Sequence, residues 1–166
     1  DHFTVMFEGP AEAELATRAV TVLEAAYWRI GTALANYLTA VTTVILYTRE
    51  QFHDITRSPA WAGGSFDGRI RVPVQGALQN RAEFERVLAH EFTHALIQSI
   101  AARGVPTWLH EGLADCFDGS DVRKKERQIR QSEVRVPLLR LEGSFEGLTS
   151  KEASLAYAQS AVAVHQ

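Results

Sequence analysis

The chain has one cysteine, Cys116, among its 166 residues. A single thiol cannot close an internal disulfide, so a disulfide scaffold is excluded and the redox compartment stays open. Sitting beside Asp115, it reads as a small buried hydrophobe and not as a metal ligand. A basic excess is also missing. The formal net charge of −3 excludes a nucleic-acid footprint spread over the whole surface. No apolar run approaches the roughly 20 residues that a bilayer span needs. The longest, Leu38 to Tyr47, is interrupted by threonines, and no direct membrane span is expected. There is no initiating methionine and no signal-like segment, which reads as a cut or processed fragment, so that any export signal would not be visible in it. What is present is ordinary for a globular protein with a real core: 46% hydrophobic and 22% charged residues.

Proline and glycine are absent from Arg81 to Arg103, and this stretch carries the most informative motif. His90-Glu91-Phe92-Thr93-His94 is an H-E-x-x-H. On a helix, residues four apart project from nearly the same face, so both imidazoles can bind one Zn²⁺ while Glu91 reaches a water on the open side. Asn80 is placed as N-cap with Glu83 three residues on, as in a capping box. Gly104 and Pro106 are placed to end the helix near Arg103. Phe84, Val87, Leu88, Phe92, Leu96, Ile97 and Ile100 cover most of its circumference, which predicts burial on nearly every side. Three polar groups in such a helix are expensive unless something satisfies them. A metal with its water would.

H-E-x-x-H alone can also be three ordinary surface residues. Context comes from Pro106-Thr107-Trp108-Leu109-His110-Glu111-Gly112-Leu113-Ala114-Asp115. It predicts a helix opened by Pro106, with Trp108, Leu109, Leu113 and Phe117 as its apolar stripe. Glu111 supplies a third ligand, making a His₂Glu set with one open position, as in catalytic zinc sites. His110 competes for that role but points roughly 100° away. Glu111 is favoured because Asp115, one turn on, can accept the free ring N–H of a ligand histidine.

The rest of the chain predicts a coarse organisation. Gly9-Pro10 opens a long helix striped by Leu15, Ala19, Leu23, Ala26, Ile30 and Leu34. Val41 to Tyr47 is a buried strand, and Arg49 to Arg57 a short helix or turn. Ser58-Pro59 to Gly64 is loop. Arg69 to Val74 alternates like a half-exposed strand, which Pro73 demotes to an edge able to pair with an extended peptide. The charged run Val122 to Ser132 reads as a solvated helix face or a loop. A final helix starts at Thr149 or Ser150, with Glu152 in its first turn. It has no stop signal, so it reads as running past Gln166.

The metzincin continuation is ruled out, since Ile97 and Ile100 stand where Gly and His would be, and H-x-x-E-H is absent. H-E-x-x-H followed by E-x-x-x-D resembles the gluzincins. More closely, the chain resembles the bacterial peptidase MA-like domains, relatives of the aminopeptidase N clan. The resemblance rests on Trp61-Ala-Gly-Gly-Ser-Phe-Asp-Gly-Arg-Ile-Arg-Val-Pro73, the zinc helix, Pro106 to Asp115, and Ala156-Tyr-Ala-Gln-Ser160. It implies an α+β, thermolysin-like fold. A small twisted sheet would place an edge strand over the buried zinc helix, and a mainly helical part, open to truncation at its C-terminus, would follow. Residues 1–166 would form a single catalytic domain, with an α/β part over 1–103 and a helical part over 104–166. The resemblance also makes Gly63 to Val72 the substrate shelf, with Gly64, Ser65, Phe66 and Asp67 as binding residues, and makes Tyr157 the oxyanion donor. The glutamate with which the aminopeptidases hold a free amino group has no counterpart here. The likeness therefore carries peptidase chemistry, leaves endo- against exopeptidase action open, and implies an exported or cell-envelope bacterial setting.

Two function classes follow. One is a zinc peptidase acting on peptides or proteins, with His90, His94 and Glu111 as ligands and Glu91 as base. The other is an inactive or weakly active module that only binds peptides on the same zinc fold.

Overall fold

The computed structural model describes residues 1–9, 13–57, 62–74, 77–145 and 147–166. Pro10 and Ser58 to Trp61, to which the sequence assigns a helix start and part of a loop, fall outside them. The chain divides into two compact units, Asp1–Ile100 and Ala101–Gln166. The class is α+β, with a small mixed sheet.

The first unit is built on β1 (Phe3–Met6), α1 (Ala13–Leu34), β2 (Thr42–Tyr47), α2 (Arg49–Thr56), β3 (Ser65–Phe66), β4 (Ile70–Pro73) and α3 (Arg81–Ile100). The sheet order is β1-β2-β4-β3. β1/β2 and β2/β4 are parallel, and β3/β4 is antiparallel. Each parallel step needs a crossover helix, which α1 and α2 provide. The β3–β4 reversal needs a turn with positive φ, and Gly68 (φ 94°) supplies it. Strand alternation aims Val44, Leu46, Ile70 and Val72 into the core, with Val44 opposite Ile70 and Leu46 opposite Val72. Arg71 emerges on the other face, where its Nη1 donates to the Tyr47 hydroxyl at 2.5 Å.

Two expectations are corrected here. The strand containing Pro73 is internal, lying between β2 and β3, and the edge is the two-residue β3. The reason lies in the ladder. The Val74 N–H donates to Tyr47 O at 2.8 Å. Successive N–H groups of a strand alternate sides, so the Pro73 nitrogen faces away from β2. There β3 pairs only with Ile70 and Arg71, so proline removes no ladder bond. The second correction concerns α3, which ends at Ile100 and not near Arg103. Its buried positions stop at Ile97, and Ile100 is 49% exposed, so packing no longer holds the helix at that point. Gly104 does take the left-handed conformation (φ 85°), but beyond the helix.

The long helix α1 buries Leu15, Ala19, Leu23, Ala26 and Ile30 as its stripe predicts, and leaves Leu34, the last member of the stripe, half-buried. Helix α3 begins as expected, with Glu83 N–H donating to Asn80 Oδ1 at 3.2 Å. The Glu83 carboxylate, however, accepts from Arg86 at 2.6 and 2.8 Å. Residues 91–97 of α3 are all buried, and Phe92 stands edge-on to Phe3 with ring centroids 5.6 Å apart.

The second unit is helical: α4 (Thr107–Phe117), α5 (Val122–Gln131), α6 (Leu138–Glu142) and α7 (Ser150–His165). Its core gathers Val136, Leu141, Phe145, Leu148, Ala153, Leu155 and Ala156, with Trp108, Ile129, Val134 and Tyr157 packed against it. A full capping box opens α7. Thr149 N–H donates to Glu152 Oε2 at 2.9 Å, and Glu152 N–H to Thr149 Oγ1 at 3.4 Å. The hydrogen bonds from Thr149 hold the Glu152 carboxyl below its ordinary value. This cap is therefore fully made above the usual carboxylate range and is lost as pH falls through the lowered value. Among the described residues no helix is long and apolar enough to cross a membrane.

Candidate functional site

The residues singled out by sequence fall into two groups. Gly64 to Asp67, His90, Glu91 and His94 belong to the first unit; Glu111, Asp115 and Tyr157 belong to the second.

Helix α3 organises the first group. His90 and His94 stand one turn apart with ring centroids 4.7 Å from each other and planes at 86°. This close approach of two imidazoles is what the i, i+4 spacing demands. His94 is buried and His90 partly so. Glu91, between them in sequence, is 5% exposed. The segment leading into β3 lies directly on it. A Cβ at Gly64 would fall 2.6 Å from Glu91 Oε1 and 2.9 Å from Val87 Cγ1. Gly64 therefore acts by having no side chain, which lets the backbone settle on the Glu91 carboxylate. Ser65 and Phe66 form the edge strand, opposite Arg71 and Ile70. The Asp67 carboxylate accepts from Arg71 Nε at 3.2 and 3.1 Å.

Helix α4 carries the second group, with Glu111 and Asp115 one turn apart. The expected stripe of Trp108, Leu109, Leu113 and Phe117 is only partly buried, and the buried positions are Gly112, Ala114 and Asp115. Small residues take the place of large ones because α7 passes very close. A Cβ at Gly112 would meet Ser160 O at 2.5 Å and Val164 Cγ2 at 2.6 Å. Gly112→Ala is expected to destabilise the protein by about 1–3 kcal/mol through overpacking against backbone that cannot yield. Thermal unfolding checks this, and an unchanged midpoint would remove the close crossing.

Asp115 is 3% exposed, and Lys125 Nζ donates to its Oδ2. Lys125 is not among the site residues that the sequence predicts, because the charged run around it reads as solvated. Cys116, expected to be a buried hydrophobe, is only half-buried. Its pKa is pushed up, first by burial and then by the neighbouring Asp115 carboxylate. Its Sγ donates to Ala161 O at 3.6 Å. Tyr157 packs edge-on against Phe145, centroids 5.4 Å apart, at the margin of the helical core.

Searches against protein-family models, curated proteins and solved structures found no match.

Proposed function

We propose that the protein is a zinc-dependent peptidase of gluzincin type. The observation that supports this most is the α3 triplet: two imidazoles 4.7 Å apart on one face, with a buried glutamate between them under a glycine backbone. His90, His94 and Glu111 each offer one ligand atom. Two neutral imidazoles and one carboxylate suit Zn²⁺, whereas Mg²⁺ and Ca²⁺ prefer oxygen ligands throughout. When bound, zinc supplies Lewis acidity that makes a water a good nucleophile near neutral pH.

The remaining roles belong to the chain. The Glu91 carboxylate takes a proton from the attacking water and delivers it to the departing amine nitrogen. Its burial suits this work, because the field of a carboxylate is less screened away from bulk water. The β3 edge at Ser65 and Phe66, with Gly64 before it, offers backbone groups to an extended peptide. Asp115, paired with Lys125, receives the ring N–H of a ligand histidine and so sets its tautomer. Tyr157 donates its hydroxyl to the oxyanion. Asp67 is engaged by Arg71, so its part in this reading is to brace the turn beside the shelf.

Elemental analysis after exhaustive dialysis tests the proposal, with close to one zinc per chain expected and a sharp loss in His94→Ala. Wild-type protein that holds no zinc would refute it. For Tyr157→Phe, kcat should fall by on the order of a hundredfold, with zinc content and KM nearly unchanged. An unaltered kcat would confine Tyr157 to its packing role beside Phe145.

A further inference from the structure

We propose that the second unit carries a cationic cleft that binds an acidic peptide segment, a site separate from the proposed chemistry and independent of it. The cleft has a volume of about 720 Å³ and is lined by one face of α5, the first two turns of α7 and the segment after α5. Lys124 and Arg127 come from α5 and Lys151 from α7. No lining residue is a carboxylate, in a chain whose formal net charge is −3.

These cations are poorly neutralised. Arg127 lies 3.8 Å from Asp121, with both side chains more than half exposed, a pairing that contributes little. Among the described residues, Lys124 and Lys151 have no ion pair. The acid nearest Lys151 in sequence, Glu152, is turned back onto Thr149 as a cap. Two other α5 cations are paired elsewhere, Lys125 with Asp115 and Arg130 with Glu126. Gln128 Nε2 donates to Ser154 Oγ at 2.8 Å and ties the two walls together.

The size and lining favour a peptide over a compact oxyanion. A phosphate occupies little more than a few waters, each about 30 Å³, and needs convergent donors. Here the charges are spread over two helices, amide and hydroxyl groups lie between them, and the half-buried Val134 offers apolar contact for side-chain stems. Several residues with spaced carboxylates match that pattern.

The test measures fluorescence anisotropy of a labelled eight-residue peptide alternating Glu and Ala, against its Gln-for-Glu counterpart, with the full chain at low salt. Glu91→Gln protein is run in parallel to exclude loss of the probe by cleavage. The acidic peptide should bind at least about tenfold tighter, a difference of one decade in Kd. Added salt should erode that advantage. The double substitution Lys124→Gln with Lys151→Gln should abolish it, with the circular dichroism unchanged because both side chains are exposed. Equal binding of the two peptides, or full acidic-peptide affinity in the double variant, overturns the proposal. So does inorganic phosphate shifting the NMR signals of Lys124 and Lys151 while both peptides remain equally weak.

Discussion

Glu91→Gln is expected to leave the protein folded and zinc-loaded while peptide hydrolysis falls by a factor on the order of 10²–10⁴, the usual contribution of a positioned general base. The substitution is close to isosteric. Glu91 is almost fully buried, and the Gly64 backbone leaves no room for a larger group. Gln fills the same space and retains an oxygen but cannot take a proton from water. Turnover of a broad peptide library, read beside zinc content, separates the two effects. Equal activity in wild type and variant would remove Glu91 from the chemistry. Equal inertness with zinc retained would favour a module that binds peptides without cutting them.

Lys125→Met should cost about 3 kcal/mol, because it leaves the Asp115 carboxylate buried without its paired ammonium. Asp115 has only 4% of its side-chain surface exposed and Lys125 17%, so solvent cannot take over the role of the lost cation. For a chain of this size the loss corresponds to a drop in Tm of about 6–12 °C. Lys124→Met is the control. Its side chain is exposed, and its midpoint should stay within the small range expected of surface changes. If the two variants unfold together, the Asp115–Lys125 pair contributes nothing to stability.

Where hydrophobic period and residue chemistry point the same way, the sequence was readable. The α1 stripe, the Asn80 cap, the buried course of α3 and the start of α7 with Glu152 in its first turn are of that kind, each specified by a few local residues. The spacing of His90 and His94 on one helical face belongs here too. Features set by neighbours distant in sequence were not readable. Pro73 marks an edge in the sequence because the proline rule concerns a missing N–H, and only the ladder reveals which side that nitrogen faces. The four-residue β1 is too short to show a period of its own, and its identity comes from pairing with Thr42 to Ile45. The packed face of α4 proved to consist of Gly112, Ala114 and Asp115, because α7 presses on it, and no pattern within α4 announces a close crossing. Lys125 did leave a trace. Val122, Lys125 and Ile129 fall at i, i+3 and i+7 on α5, and Ile129 packs on the core. Lys125 therefore sits on the inward face, although Arg123, Lys124 and Arg127 close to it in sequence are exposed cations.

Absorption spectroscopy at the zinc edge on the dialysed protein tests the central assignment most directly, because it reads the metal and its ligands together. Two imidazole nitrogens at about 2.0–2.1 Å and carboxylate and water oxygens at about 2.0–2.2 Å are expected, with no sulfur. His94→Ala should remove one imidazole contribution and Glu111→Ala the carboxylate, while His110→Ala should change neither. A sulfur shell at about 2.3 Å from Cys116, or an imidazole contribution lost in His110→Ala, would contradict the His90, His94 and Glu111 set.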